Sequence, residues 1–229
     1  MKPLKHFFSL IIFLFFISPA LAQGNVFHYQ ILTPQGEQGR LQYTIESLDT
    51  GFRVTSSLID THGTVRKNFE LFTSGNWEPS LSYKWIQTPR GEALLESRYQ
   101  GKTVELQLQA PWGTKKTRLH FSPPVFDFEE IPFLFSPLLR GEIKGGTVSI
   151  FIPVSGMFWK GKFQPREENG NEITLRFTLA GEVIILRYLK NHLMPEEMHF
   201  PQRGYTLLLQ DITHGENQVL PPGQRKEGD

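Results

Sequence analysis

The chain has no cysteine among its 229 residues. That excludes disulfide staples, thiolate metal sites and a cysteine nucleophile, and it argues against a lipid-modified N-terminus. An excess of charge of either sign is also missing: 24 lysines and arginines stand against 23 aspartates and glutamates, a net of +1. Such a balance leaves no basic footprint for nucleic acid and no polybasic cluster for anionic membranes. Long hydrophobic runs are scarce. The one that stands out, Phe7 to Ile17, is 11 residues broken only by Ser9, whereas a membrane-spanning helix needs about 20.

That run sits in a recognisable context. Lys2 and Lys5 precede it, and Pro19 followed by Ala20-Leu21-Ala22 ends it with a small-x-small signature. This is the grammar of a secretory leader over residues 1–22, with an uncleaved anchor as the alternative. Removing the leader takes away two lysines and no acid. The remainder holds 22 basic and 23 acidic side chains, a net of −1. The expected location is therefore secreted. No transmembrane span is expected in the mature chain, and the fold must stand on its apolar core.

Period-two alternation dominates the mature chain. Leu41, Tyr43 and Ile45 alternate with Gln42, Thr44 and Glu46; Val104, Leu106 and Leu108 alternate with Glu105 and Gln107. Val148 to Val154 and Ile173 to Leu179 repeat the pattern. Turn residues punctuate the runs, as in Asp49-Thr50-Gly51, His62-Gly63 and Asn169-Gly170-Asn171. The pattern predicts about 12 to 14 strands. The expected fold is all-β: a single antiparallel, strongly curved sheet, or an open barrel or clam. One β domain is expected over residues 23–214, with halves 25–122 and 146–213 joined by 123–145. The tail, 215–229, is polar and reads as disordered.

Residues 123–140 break the alternation. Prolines at 123, 124, 132 and 137 forbid a central strand and a long helix. Yet Phe126, Phe128, Ile131, Phe133, Leu134, Phe135, Leu138 and Leu139 are apolar. The reading is a short Pro-rich lid of one or two helical turns, packed over the mouth or open face of the sheet. Asp127 would cap it, with Glu129 and Glu130 favourable near its start. The lid either closes an apolar cavity that binds a greasy ligand or plugs the sheet and completes the core.

Several segments together resemble a known family. Gly75-Asn76-Trp77 leads into Glu78-Pro79-Ser80-Leu81-Ser82-Tyr83, similar to a Pro-x-x-x-Tyr strand start, after a meander opening at Phe27-His28-Tyr29. Phe126 to Leu134 resembles a mid-chain Asp-x-x-x-(Leu/Ile)-(Pro/Ser) stretch. His192-Leu193-Met194-Pro195-Glu196-Glu197-Met198 resembles a late Pro-x-x-(Val/Met) strand, followed by Tyr205-Thr206-Leu207-Leu208. Over residues 26–213 the chain resembles the secreted bacterial proteins of domain of unknown function 3108. Gly156-Met157-Phe158-Trp159-Lys160-Gly161 departs from that family's usual glycine-containing stretch. The resemblance implies a β-rich clam or half-barrel of the bacterial periplasm or envelope, distantly similar to periplasmic carriers of lipoproteins and lipids. It implies no reaction and no catalytic residue.

Other candidates have competing readings. Trp77, Trp85, Trp112 and Trp159 stack on sugars if exposed or fill the core if buried; Trp112, in a Pro-Trp-Gly turn, is the one expected at the surface. Lys115, Lys116 and Arg118 meet a lipid headgroup or guard a hairpin edge. Asp127, Glu129, Glu130, Glu196, Glu197 and Asp211 supply carboxylates for a glycosidase-like pair, but adjacent strand residues such as Glu196 and Glu197 face opposite ways. The histidines form no His-x-His or His-x-x-x-His pair, and no Gly-x-Ser-x-Gly or Walker pattern occurs. The expectation is a non-catalytic binding or carrier module for an apolar or amphipathic envelope ligand such as a lipid, with no cofactor. The alternatives are an envelope scaffold binding another protein, for example through strand 102–109, and a glycan-acting enzyme.

Overall fold

The computed structural model describes residues 24–134, 146–190 and 192–213, with side chains placed outside 165–168. The leader and the tail lie outside the described residues, as do Phe135, Leu138 and Leu139. The first half forms β1 (Asn25–Thr33), β2 (Gly36–Leu48), β3 (Gly51–Asp60), β4 (Val65–Ser74), β5 (Pro79–Thr88), β6 (Gly91–Gln100), β7 (Thr103–Ala110) and β8 (Gly113–His120). A short β9 (Val125–Asp127) and a 3₁₀ turn (Phe128–Phe133) come next. The second half forms β10 (Thr147–Ile152), β11 (Met157–Asn169), β12 (Glu172–Leu179), β13 (Glu182–Leu189), β14 (Glu197–Phe200) and β15 (Tyr205–Thr213).

All fifteen strands make one sheet, in the order β8-β7-β6-β5-β4-β3-β2-β1-β15-β14-β13-β12-β11-β10-β9. Each half is a meander of hairpins, and β1 joins them by pairing antiparallel with β15, Phe27 opposite Ile212. The expected curved, open, all-β sheet is what the chain forms, with a strand more than the pattern predicts. The additional strand, β9, lies in the Pro-rich segment and pairs parallel with β10, so the sheet is mixed. Its position agrees with proline chemistry: it occupies three residues at the sheet's edge, directly after Pro123 and Pro124. Strand β7 is paired on both sides, so the segment 102–109 is not an edge; the outer strand of the first half is β8.

The sheet does not close through backbone pairing, because β8 and β9 stand at its two ends. Its ends meet instead through side chains. Leu95, Tyr99, Val104 and Leu106 of β6 and β7 pack with Val125 and Phe151 of β9 and β10, and the Tyr99 and Phe151 rings meet edge to face at 6.1 Å. The main core fills the concave face between the halves, with Phe27, Tyr43, Val54, Phe69, Leu71, Phe177 and Leu186 all buried. Gly161 shows how closely it packs: a Cβ there would lie 2.3 Å from the Phe177 ring, so only glycine lets that ring cover β11. Among the described residues, no helix is long and apolar enough to cross a membrane.

Candidate functional site

The site begins at the end of β9, where the chain leaves the sheet's edge and turns into the concave face. Asp127 is extended (φ −73°, ψ 150°) and caps the 3₁₀ turn, accepting from the Glu129 N–H at 3.2 Å. The Glu130 carboxylate accepts in return from the Asp127 N–H, completing a capping box. The cap and the acidic first turn are thus as the sequence suggests. Their surroundings are not those of a surface lid. Asp127 and Glu130 are fully buried, and Phe126, Ile131, Phe133 and Leu134 belong to the core; only Phe128 is half-buried. Phe133 packs on Trp77 with ring centroids 4.9 Å apart, and Trp77 stacks on Phe52 at 4.2 Å.

Both halves of the sheet hold this plug. From the second half, the Tyr188 hydroxyl on β13 donates to the Pro132 carbonyl at 2.6 Å. From the first half, three donors converge on the Asp127 carboxylate: Lys84 Nζ at 3.0 Å, Tyr99 Oη at 2.8 Å and Ser82 Oγ at 3.2 Å. Lys84 also lies 3.5 Å from Glu129 Oε1, and Lys67 on β4 donates to the same oxygen. The Phe69 ring sits 5.1 Å from the Lys84 ammonium. Ser97, directly across from Ser82 in the β5–β6 register, has a buried hydroxyl with no partner among the described residues. The concave face of β5 and β6 is therefore a carboxylate cradle, and the chain's own Asp127 occupies it.

The electrostatics follow from burial. Burial pulls the Lys84 ammonium downward, but the carboxylates of Asp127 and Glu129 outweigh it, and the net shift is upward. Burial pushes Glu129 up, and Lys84 and Lys67 more than reverse it, so this carboxylate is held below its usual range. Glu130 has no such partner. Burial first, then the neighbouring Asp127 charge, drives its carboxyl well above the usual range. Burial and Asp127 likewise hold the Tyr99 phenol well above its ordinary value. The cluster sets Lys84 and Lys67 against Asp127 and Glu129, with Glu130 beside them as the carboxyl whose charge burial opposes. A charged lysine is not a nucleophile, and the arrangement's chemical capacity is to bind a carboxylate.

Known proteins add no precedent. The chain matches no family model, no curated protein and no solved structure.

The remaining sequence candidates lie elsewhere. Lys115, Lys116 and Arg118 are exposed on β8, and the lateral row Lys84–Leu95–Leu108–Lys115 puts three strand spacings between that edge and the cradle. Trp112 is the most exposed tryptophan, at 52 %, and Trp159 is also exposed, whereas Trp77 is core. Glu196 pairs with His192 at 2.8 Å, and Glu197 with Arg187 at 3.1 Å. Among the described residues no cluster of three potential metal ligands occurs. Sequence reasoning missed Lys84, Ser82, Tyr99 and Lys67. In β5 the apolar set Leu81, Tyr83 and Trp85 suggests the inward face, yet Ser82 and Lys84 are the buried residues there.

Proposed function

We propose that this chain is a non-catalytic carrier of the bacterial envelope that holds one anionic amphiphile, an acyl chain bearing a carboxylate or phosphate head. The observation that carries the reading is the Asp127 carboxylate held by Lys84, Tyr99 and Ser82 on the concave face of an unclosed sheet. The plug acts as an internal stand-in for the ligand: Asp127 for the head, and Phe126, Ile131, Phe133 and Leu134 for the chain. Ligand binding displaces the plug, the acyl chain takes the apolar face, and the head takes the cradle.

The magnitudes permit this exchange. Burying four large apolar side chains is worth roughly 6–12 kcal/mol at about 1.5–3 each. An acyl chain with about a dozen methylenes contributes about 10 kcal/mol at ~0.8 each. The two are close enough for a ligand to compete with the plug and later be released. The leader grammar and the resemblance to secreted envelope proteins support the location.

Calorimetric titration of the secreted protein with a long-chain fatty acid tests the exchange. One saturable site is expected, and Lys84→Met should abolish it. Asp127→Asn keeps a good N-cap but removes the competing charge. A hydrogen bond to a charged group is worth about 1.5–3 kcal/mol, so this variant should bind about tenfold more tightly or better. Equal or weaker binding by Asp127→Asn contradicts the exchange and leaves the cluster as a structural latch.

A further inference from the structure

The two edges of the sheet are treated differently. At one end, β9 is three residues long and buried, with prolines immediately before it. Short length and proline are the means by which proteins blunt an edge. At the other end, β8 runs eight residues without proline, and its register with β7 carries no bulge. Its side chains are exposed apart from Leu119. Among the described residues nothing pairs with its outer side.

The open hydrogen-bonding groups of β8 can be assigned. A two-residue turn, Pro111-Trp112, closes the hairpin on the pair Ala110 and Gly113, which makes that pair the first hydrogen-bonded one. The Phe121 N–H bonds the Lys102 carbonyl at 2.9 Å, which continues the same odd-numbered set. The N–H and C=O groups of Thr114, Lys116, Arg118 and His120 therefore point outward.

The side chains of these residues end two lateral charge rows on the outer face. One runs Arg98–Glu105–Arg118 and the other Glu96–Gln107–Lys116. Arg118 is ion-paired to Glu105 on its inner side, and both rows finish on a cation. Edge-to-edge pairing with a second copy, antiparallel about Thr117, would set Lys116 against Arg118 of the other chain, and like charges directly opposite destabilise a ladder. The next strand the rows call for bears acids.

We propose that β8 receives an extended acidic segment of a partner protein as an added strand, with carboxylates at positions i and i+2 facing Arg118 and Lys116. Main-chain hydrogen bonds to the outward groups supply affinity, and the two cation–carboxylate contacts set register. This surface is independent of the cradle on the concave face.

The test is a titration of the full-length protein with a short peptide alternating glutamate and valine, followed by fluorescence anisotropy and hydrogen exchange. Saturable binding is expected, weakening as salt rises, with added amide protection at Lys116 and Arg118. Lys116→Pro deletes one outward donor together with one of the two cations, and the edge tolerates proline there. With an unchanged thermal transition, it should bind at least about tenfold more weakly, the loss of one main-chain bond and one cation–carboxylate contact. Equal binding of a control peptide alternating lysine and valine, undiminished binding by Lys116→Pro, or protection elsewhere than β8 overturns the proposal. So does absence of binding, which leaves the cations as an edge guard.

Discussion

Glu130 is the residue whose charge the fold opposes most plainly. Its carboxyl lies wholly within the core, one oxygen accepts the Asp127 N–H, and the other has no partner among the described residues. A carboxyl raised in the folded state favours folding while protonated. Its contribution is whole below its unfolded value of about 4.5 and is lost as pH rises through the folded value. Glu129 and Lys84 run differently. The lowered Glu129 contributes above its unfolded value and loses that contribution in acid. The raised Lys84 contributes below its unfolded value and loses it only in alkali. Glu130→Gln keeps the acceptor for the cap and removes the titration. Between pH 5 and 8 the wild-type denaturation midpoint should therefore fall relative to that of Glu130→Gln, and the gap should widen upward. A constant gap would show that folding does not raise the Glu130 carboxyl. None of this is legible in the sequence. Asp127 and the paired acids read there as a helix start, which is local chemistry. Lys84 sits in a strand whose alternation points its neighbours inward, and only the arrival of the plug from 43 residues away turns that polar face into the buried one.

The plug is the element whose type is readable in the sequence and whose place is not. Asp127 with Glu130 three residues later is a capping pair, and four prolines bar anything long, so residues 123–140 alone imply a short capped turn. Whether it covers a mouth or enters the core depends on which surface faces it, and that is set by strands far along the chain. The structure puts Phe133 at 0 % exposure between Trp77 and the second half. Phe133→Ala should accordingly cost about 3–5 kcal/mol in chemical denaturation, as large-to-small core changes do. A loss below about 1 kcal/mol would mean that the turn is held by its polar anchors and not by packing. Phe133→Asp buries an unpaired charge and is expected to unfold the chain.

At the scale of the molecule, the sheet is largely visible in the sequence, because period-two alternation and glycine-bearing turns report each hairpin in turn. Pairings between distant segments are not visible. Strand β1 meets β15 across the whole chain, and β9 lies parallel to β10, since nothing local encodes a partner. These pairings shape the sheet into a trough across which Asp127 of β9 is held by Ser82 and Lys84 of β5 and Tyr99 of β6. In the carrier we propose, the trough exchanges this internal carboxylate for an anionic amphiphile. The most direct measurement is native mass spectrometry of the protein expressed from its full 229-residue sequence, recovered without detergent and incubated with a long-chain fatty acid. One lipid-sized anionic adduct per chain is expected, released on denaturation and absent from Lys84→Met. An unliganded mass that persists in excess fatty acid would contradict it.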